Sequence, residues 1–149
     1  MSNFRNQVGN PFMAFLLRSP WHGVLSKNML LITVTGRKSG KPYTTPVGYV
    51  RAGDNLLIVS SPDRTWWKNL RGGAPITVRL QGREQTGVGR AVEDTAEVTT
   101  GLIEMLKAAP QYQNYLKVSL TADGRPVDPA ALAEAAKVRV MVKITGLHP

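Results

Sequence analysis

The sequence predicts an α+β chain that is mainly β: a small antiparallel barrel of six strands with peripheral helices. Three observations point there. Six separate runs rich in Val, Ile, Leu and Thr carry strand character, at 29–35, 44–52, 56–60, 76–81, 84–92 and 138–144. Strands and helices do not alternate regularly, which argues against a doubly wound parallel sheet. The last run follows a long helical stretch and returns to strand character, the pattern of a barrel closed by its final strand.

The elements follow in order. Asn10–Pro11 reads as an N-cap with proline in the first turn, so 11–18, PFMAFLLR, is expected to be a short helix. Phe12, Phe15 and Leu16 share one face of it, suited to packing on its own domain, on a membrane surface or on another subunit. MLLITVT at 29–35 reads as a buried strand, 44–52 as a second, and Ala52-Gly53-Asp54-Asn55 as the turn into a third. WWKNLR at 66–71 reads as a short helix, with Thr65 as N-cap and Gly72 past its end. Gly87 and Gly89 suggest a bulge or bend in the strand at 84–92. Asp94-Thr95-Ala96-Glu97 is a capping-box-like start for a helix ending near Pro110. A second helical piece is expected at 111–118, a third after Asp128–Pro129, and VRVMVKI closes the fold. This organisation amounts to a single domain over 1–149, with an N-terminal helical extension at 1–27 and a helical insertion at 94–136.

Composition narrows the chemistry. There is no cysteine, which excludes disulfides, thiolate metal sites, iron–sulfur clusters and a cysteine nucleophile, and fits a reducing cytosol. No apolar run approaches the roughly 20 residues of a membrane span, and the N-terminus lacks signal-peptide order, so a cytoplasmic location is expected, with membrane association through the N-terminal helix as its one qualification. Nineteen Lys and Arg against ten Asp and Glu give a net charge of +9, attractive to polyanions such as nucleic acid, anionic lipid or a phosphorylated cofactor. Nucleic acid is the weaker reading, because the aromatics are not spaced along one basic strand face.

Between the first two strands lies GRKSGKPY, at 36–43, longer than a minimal hairpin loop. Glycines at 36 and 40 allow backbone N–H groups to converge, while Arg37, Lys38, Lys41 and the Ser39 hydroxyl add charge and a donor. It is not a nucleotide P-loop, since three residues separate the glycines and Pro42 follows the lysine. On these residues alone, a solvated basic loop and an anion site both stay open. In the second stretch, Ser60 to Arg71, Trp66 and Trp67 offer a wall for a planar ring or simple core packing, and Asn69 could brace the neighbouring loop. Tyr112 and Tyr115 share a helix face, suited to packing or to a substrate. With only His22 and His148, and no paired-carboxylate or His-x-x-x-His pattern, any enzyme here needs a bound cofactor for its chemistry.

LLITVTGRKSGKPYTTPVGYV, followed by IVSS, WWKNLR and AP, resembles the deazaflavin-dependent nitroreductase family, over about residues 28–92 and more loosely to 145. The resemblance implies a split β-barrel of the FMN-binding split-barrel type and a reduced deazaflavin coenzyme, F420, bearing a phosphate and an oligoglutamate tail. It implies hydride transfer to a small-molecule acceptor: an activated alkene, a quinone or a nitro group. It places Arg37, Lys38, Ser39 and Gly40 at the phosphate and tail, Thr44, Thr45, Pro46 and Val47 along the ring system, Ser60 near the reactive face, and Trp66 and Asn69 on the following helix. Members often carry arginine where Tyr43 stands and lysine where Ser61 stands; Arg64 is the substitute for the lost charge. These departures keep FMN, FAD and haem open as alternative ligands, in a carrier or an oxidase. Adding Lys41, Tyr43, Ser61, Arg64 and Trp67 completes the candidate cofactor set, while Ser60, Tyr112 and Tyr115 are the hydrogen-bond candidates toward the acceptor. No metal site and no covalent nucleophile are assigned. Both monomers and homodimers occur among such barrels.

Overall fold

Apolar residues at alternate positions decide which way each strand faces. In β1 (Met29–Thr35), Leu30, Ile32 and Val34 are buried together. In β4 (Asn55–Ser60), Leu56 and Ile58 join them, and in β7 (Val140–His148), so do Val140, Val142 and Ile144. Leu57 of β4 and Met141 of β7 point the other way, into a second core. Both faces of the sheet are therefore apolar, and each must be covered.

The computed structural model describes residues 29–149. The remaining strands are β2 (Pro42–Gly48), β3 (Val50–Ala52), β5 (Ala74–Leu80) and β6 (Arg83–Val92). All pairings are antiparallel, in the order β2-β1-β5-β6-β7-β4-β3. β2 also touches β4, so the sheet curls into a split β-barrel. The inner core is stoppered by a short 3₁₀ helix, Trp66–Leu70, which contributes Trp66, Trp67 and Leu70. The outer face is covered by α1 (Thr95–Ala108), α2 (Tyr112–Leu116) and α3 (Pro129–Lys137), whose Val98, Leu102, Met105, Leu116 and Leu132 pack on Leu57 and Met141.

The fold class stands as the sequence predicts, with seven strands among the described residues rather than six. The expected strand at 44–52 breaks at Tyr49: β2 pairs with β1, whereas β3 pairs with β4. The closing strand runs on to His148, because Thr145 and His148 continue the ladder with β6 across an irregularity between Thr86 and Val88. Gly87 sits there, and a Cβ on it would lie 2.7 Å from the Thr145 carbonyl oxygen. The helix at 66–71 is a 3₁₀ turn, and Thr65 makes no side-chain capping bond. Asp94 and Asp128 do cap α1 and α3, accepting from the backbone N–H groups of Glu97 and Ala130. The expected N-terminal helix, with its membrane or subunit contact, lies outside the described residues. No helix among the described residues is long and apolar enough to cross a membrane.

Candidate functional site

The β1–β2 loop is closed by its own backbone. Gly36 N–H donates to the Lys41 carbonyl and Gly40 N–H to the Gly36 carbonyl, each at 2.8 Å. Gly40 has φ of +69°, natural for glycine. Gly36 is required for a different reason: a Cβ there would lie 2.5 Å from Tyr43 Cε2 and 2.7 Å from Ser39 Oγ. Ser39 Oγ lies 3.1 Å from the Tyr43 hydroxyl and accepts from Lys41 N–H at 3.2 Å.

Asn69 of the 3₁₀ helix joins this loop to the next segment. Its Oδ1 accepts from Arg37 N–H at 3.0 Å, its carbonyl accepts from Arg37 Nε at 3.2 Å, and its Nδ2 donates to the Trp66 carbonyl at 3.2 Å. Asn69 thus braces the loop, the alternative that its sequence position left open. The backbone N–H groups of Gly36, Arg37, Gly40 and Lys41 are all spent in this way, so an anion here would be met by side chains and by the remaining amides of Lys38 and Ser39.

Between loop and 3₁₀ helix lies a cleft of about 730 Å³. Its lining brings together Arg37, Lys38, Ser39, Tyr43, Thr45, Arg64, Trp66 and Asn69 from the predicted set. Thr65, Lys68 and Arg71 also line it and escaped the sequence reading. Their signal was present: they are spaced three apart, the repeat of a 3₁₀ turn, which puts them on one side. Five lining residues are cationic, Arg37, Lys38, Arg64, Lys68 and Arg71, and none is acidic. Arg71 is partly neutralised from outside the cleft, donating to both Glu93 oxygens at 3.0 and 3.1 Å, and its guanidinium stands 5.1 Å from the centre of the Trp67 ring. The Ser61 hydroxyl donates to Asp63 and, as the main cause, holds that carboxyl below its ordinary range.

The other predicted residues are placed elsewhere. Trp67 is core, 2% exposed. Thr44 shares a 2.8 Å hydrogen bond with Thr33 across the ladder. Gly40, Lys41, Pro46, Val47 and Ser61 do not line the cleft. Ser60 is buried and donates to the Ser61 carbonyl. Tyr112 and Tyr115 line a separate cavity of about 420 Å³, with Gly48, Val59 and Gln111. Their rings meet edge to face, centroids 6.1 Å apart. Burial, and secondarily Tyr115, pushes the Tyr112 hydroxyl pKa up.

The deazaflavin implied by the resemblance fits the basic cleft. The cations match an acidic phosphate and tail, and Trp66, largely buried in the inner core, reaches the cleft's lining. Thr45 supplies a more specific sign: its Oγ1 is buried with no hydrogen-bond partner among the described residues, yet the residue lines the cleft. A buried hydroxyl left unpaired is costly, and a ligand atom would relieve it. No cluster of three or more metal-ligating side chains occurs among the described residues.

Three solved structures share the fold. A conserved hypothetical protein of Mycobacterium tuberculosis superposes with a TM-score of 0.52 at 14% identity, over 83% of this chain and 75% of that one. The FAD and heme binding protein of Mycobacterium smegmatis gives 0.50 at 17% identity, over 86% and 66%. A protein of unknown function from Agrobacterium tumefaciens gives 0.51 at 17%, over 89% of this chain but only 57% of that longer one. At these identities the likeness is one of fold. The family model described as F420H(2)-dependent quinone reductase matches residues 19–122, across the loop, the 3₁₀ helix and α1. The chain belongs to the F420H(2)-dependent quinone reductase family.

Proposed function

We propose that this protein is an F420-dependent reductase that passes a hydride from the reduced deazaflavin to a small-molecule acceptor, a quinone, an activated alkene or a nitro compound. The observation that carries the reading is the cleft whose lining holds five cations and no carboxylate, beside a family match that spans it. When bound, the reduced coenzyme supplies the hydride. The protein supplies position and environment. Arg37, Lys38, Arg64 and Lys68 attract and hold the acidic phosphate and tail. Asn69 fixes Arg37, Thr45 offers its unpaired hydroxyl, and Trp66 walls the cleft.

The acceptor belongs in the second cavity, which the coenzyme's ring would reach along β2, because Thr45 of that strand lines the basic cleft and Gly48 lines this cavity, and hydride transfer needs the two molecules in contact. Val59 and the two tyrosine rings give it an apolar wall that excludes water. A tyrosine hydroxyl donates a hydrogen bond as negative charge builds on the acceptor oxygen. Tyr112 suits this role, because burial keeps its hydroxyl protonated to higher pH.

Titration with F420, FMN and FAD, followed by tryptophan fluorescence, tests the cofactor; oxidation of F420H2 by menadione, a nitroimidazole and cyclohexenone tests the acceptor. Tight F420 binding with menadione turnover is expected. Binding of FMN or FAD in preference to F420 would overturn the reading in favour of a flavin carrier.

A further inference from the structure

Tyr115 stands at the rim of the second cavity and is 56% exposed, so the core does not fix its ring. Its helix, α2, is five residues long and ends at Lys117 in the left-handed region, φ 58°. Such a short helix has little stability of its own. Leu116 and Val118 anchor its far side in the outer core. Tyr115 itself is held by two neighbours. One is the edge of Tyr112. The other is Arg139, from the link between α3 and β7.

Arg139 makes three contacts. Its guanidinium lies 5.3 Å from the centre of the Tyr115 ring. Nη2 donates to the Tyr115 carbonyl at 3.4 Å, and Nη1 to the Ala135 carbonyl near the C-terminus of α3, at 3.1 Å. One planar fork therefore spans two helices while covering the ring between them, which lysine's single ammonium could not do. Arg139 takes no part in either cavity's lining.

We propose that Arg139 is a positioning residue for the acceptor: it clamps Tyr115 upright at the cavity rim so that a planar ring finds a preformed aromatic wall. This rests on the assignment of that cavity to the acceptor. Without the clamp, Tyr115 samples other rotamers and α2 opens more often. The acceptor then meets a disordered wall, while the coenzyme in the basic cleft is unaffected.

Two experiments on the full-length chain separate the outcomes. In hydrogen exchange without any ligand, Arg139→Gln should speed exchange at the amides of 112–118 and leave β1 and β4 unchanged; unchanged exchange at 112–118 would overturn the clamp, whatever the coenzyme. In steady-state assays with F420H2 and menadione, Arg139→Gln should raise the menadione KM about fivefold with F420 affinity unaltered, a loss in the range expected for a displaced binding group. Arg139→Lys should recover part of it. In a Tyr115→Leu background, Arg139→Gln should add less than it does in the unaltered chain, because only its bonds to the Tyr115 and Ala135 carbonyls are left to lose. An additive effect, or an equal loss of F420 affinity, would contradict the proposal. Absence of F420 binding by the unaltered protein would sink the reductase reading instead, leaving hydrogen exchange to judge the clamp.

Discussion

Asn69 grips Arg37 at two points: its side-chain Oδ1 accepts from Arg37 N–H at 3.0 Å, while its backbone carbonyl accepts from Arg37 Nε at 3.2 Å. The 3₁₀ helix and the basic loop thereby act as one unit, and the arginine is held by a neutral partner that leaves its charge uncancelled. Asn69→Ala should cost about 1 kcal/mol of stability in urea denaturation, the loss of modest exposed hydrogen bonds. It should weaken F420 about threefold in a fluorescence titration, since the loop backbone loses its side-chain tie to the 3₁₀ helix while Arg37 Nε keeps the Asn69 carbonyl. Asn69→Asp should bind more weakly still, because it adds a carboxylate to a cleft built for anions.

Gly36 is tested by adding one carbon. Gly36→Ala drives a methyl into the Tyr43 ring and the Ser39 hydroxyl, and should destabilise by about 1–3 kcal/mol, the usual cost of overpacking. Tyr43→Ala in the same chain should recover part of the loss. Thermal melts of the two single variants and the double variant decide it; additive losses would show that the ring is not the obstacle.

Gly101 of α1 offers a second packing test, away from both cavities' proposed chemistry. Alanine is intrinsically favoured over glycine in a helix by about 1 kcal/mol. Here a Cβ would sit 2.2 Å from Met141 Sδ, and Met141 is itself only 2% exposed, so it has nowhere to go. Gly101→Ala should therefore destabilise by a net of about 1–2 kcal/mol, measured by urea denaturation. Met141→Ala should reverse the sign of the Gly101 substitution.

Tyr112 makes a pH prediction. Its folded pKa is raised above the ordinary tyrosine value of about 10, mainly by burial, so folding favours the protonated phenol. That contribution is full below pH 10 and is lost as pH rises through the folded value. Stability between pH 9 and 12 should fall less steeply in Tyr112→Phe, and no activity limb below pH 10 should depend on Tyr112. A limb near neutrality that vanishes in Tyr112→Phe would contradict the assignment.

Most of the sheet could be read directly from residue patterns. Runs rich in Leu, Ile, Val and Thr marked β1 and β4, alternation marked β7, and Asp94 and Asp128 announced their helices by cap chemistry. What escaped was set at long range. Nothing local to Tyr49 says that residues before it pair with β1 and residues after it with β4. The seat of Tyr112 and Tyr115, in a cavity apart from the basic cleft, depends on how α2 docks on the outer face. Thr65, Lys68 and Arg71 share a side at either helical or 3₁₀ spacing, but which side meets the basic loop depends on how the 3₁₀ turn docks through Asn69 and Arg37. The glycine-rich loop showed its charge plainly but not that the amides of Gly36, Arg37, Gly40 and Lys41 already have partners.

The central claim is that side-chain cations beside the Gly36–Lys41 loop hold the acidic end of the coenzyme. Titration of F420 into the unaltered protein and into the Lys38→Gln, Arg64→Gln double variant, at low and at high salt, tests it most directly. Binding to the unaltered protein should weaken as salt rises, and the double variant should bind at least about tenfold more weakly at low salt with the gap narrowing at high salt, as screening predicts. Equal affinity of the two proteins at low salt, or affinity indifferent to salt, would contradict the account.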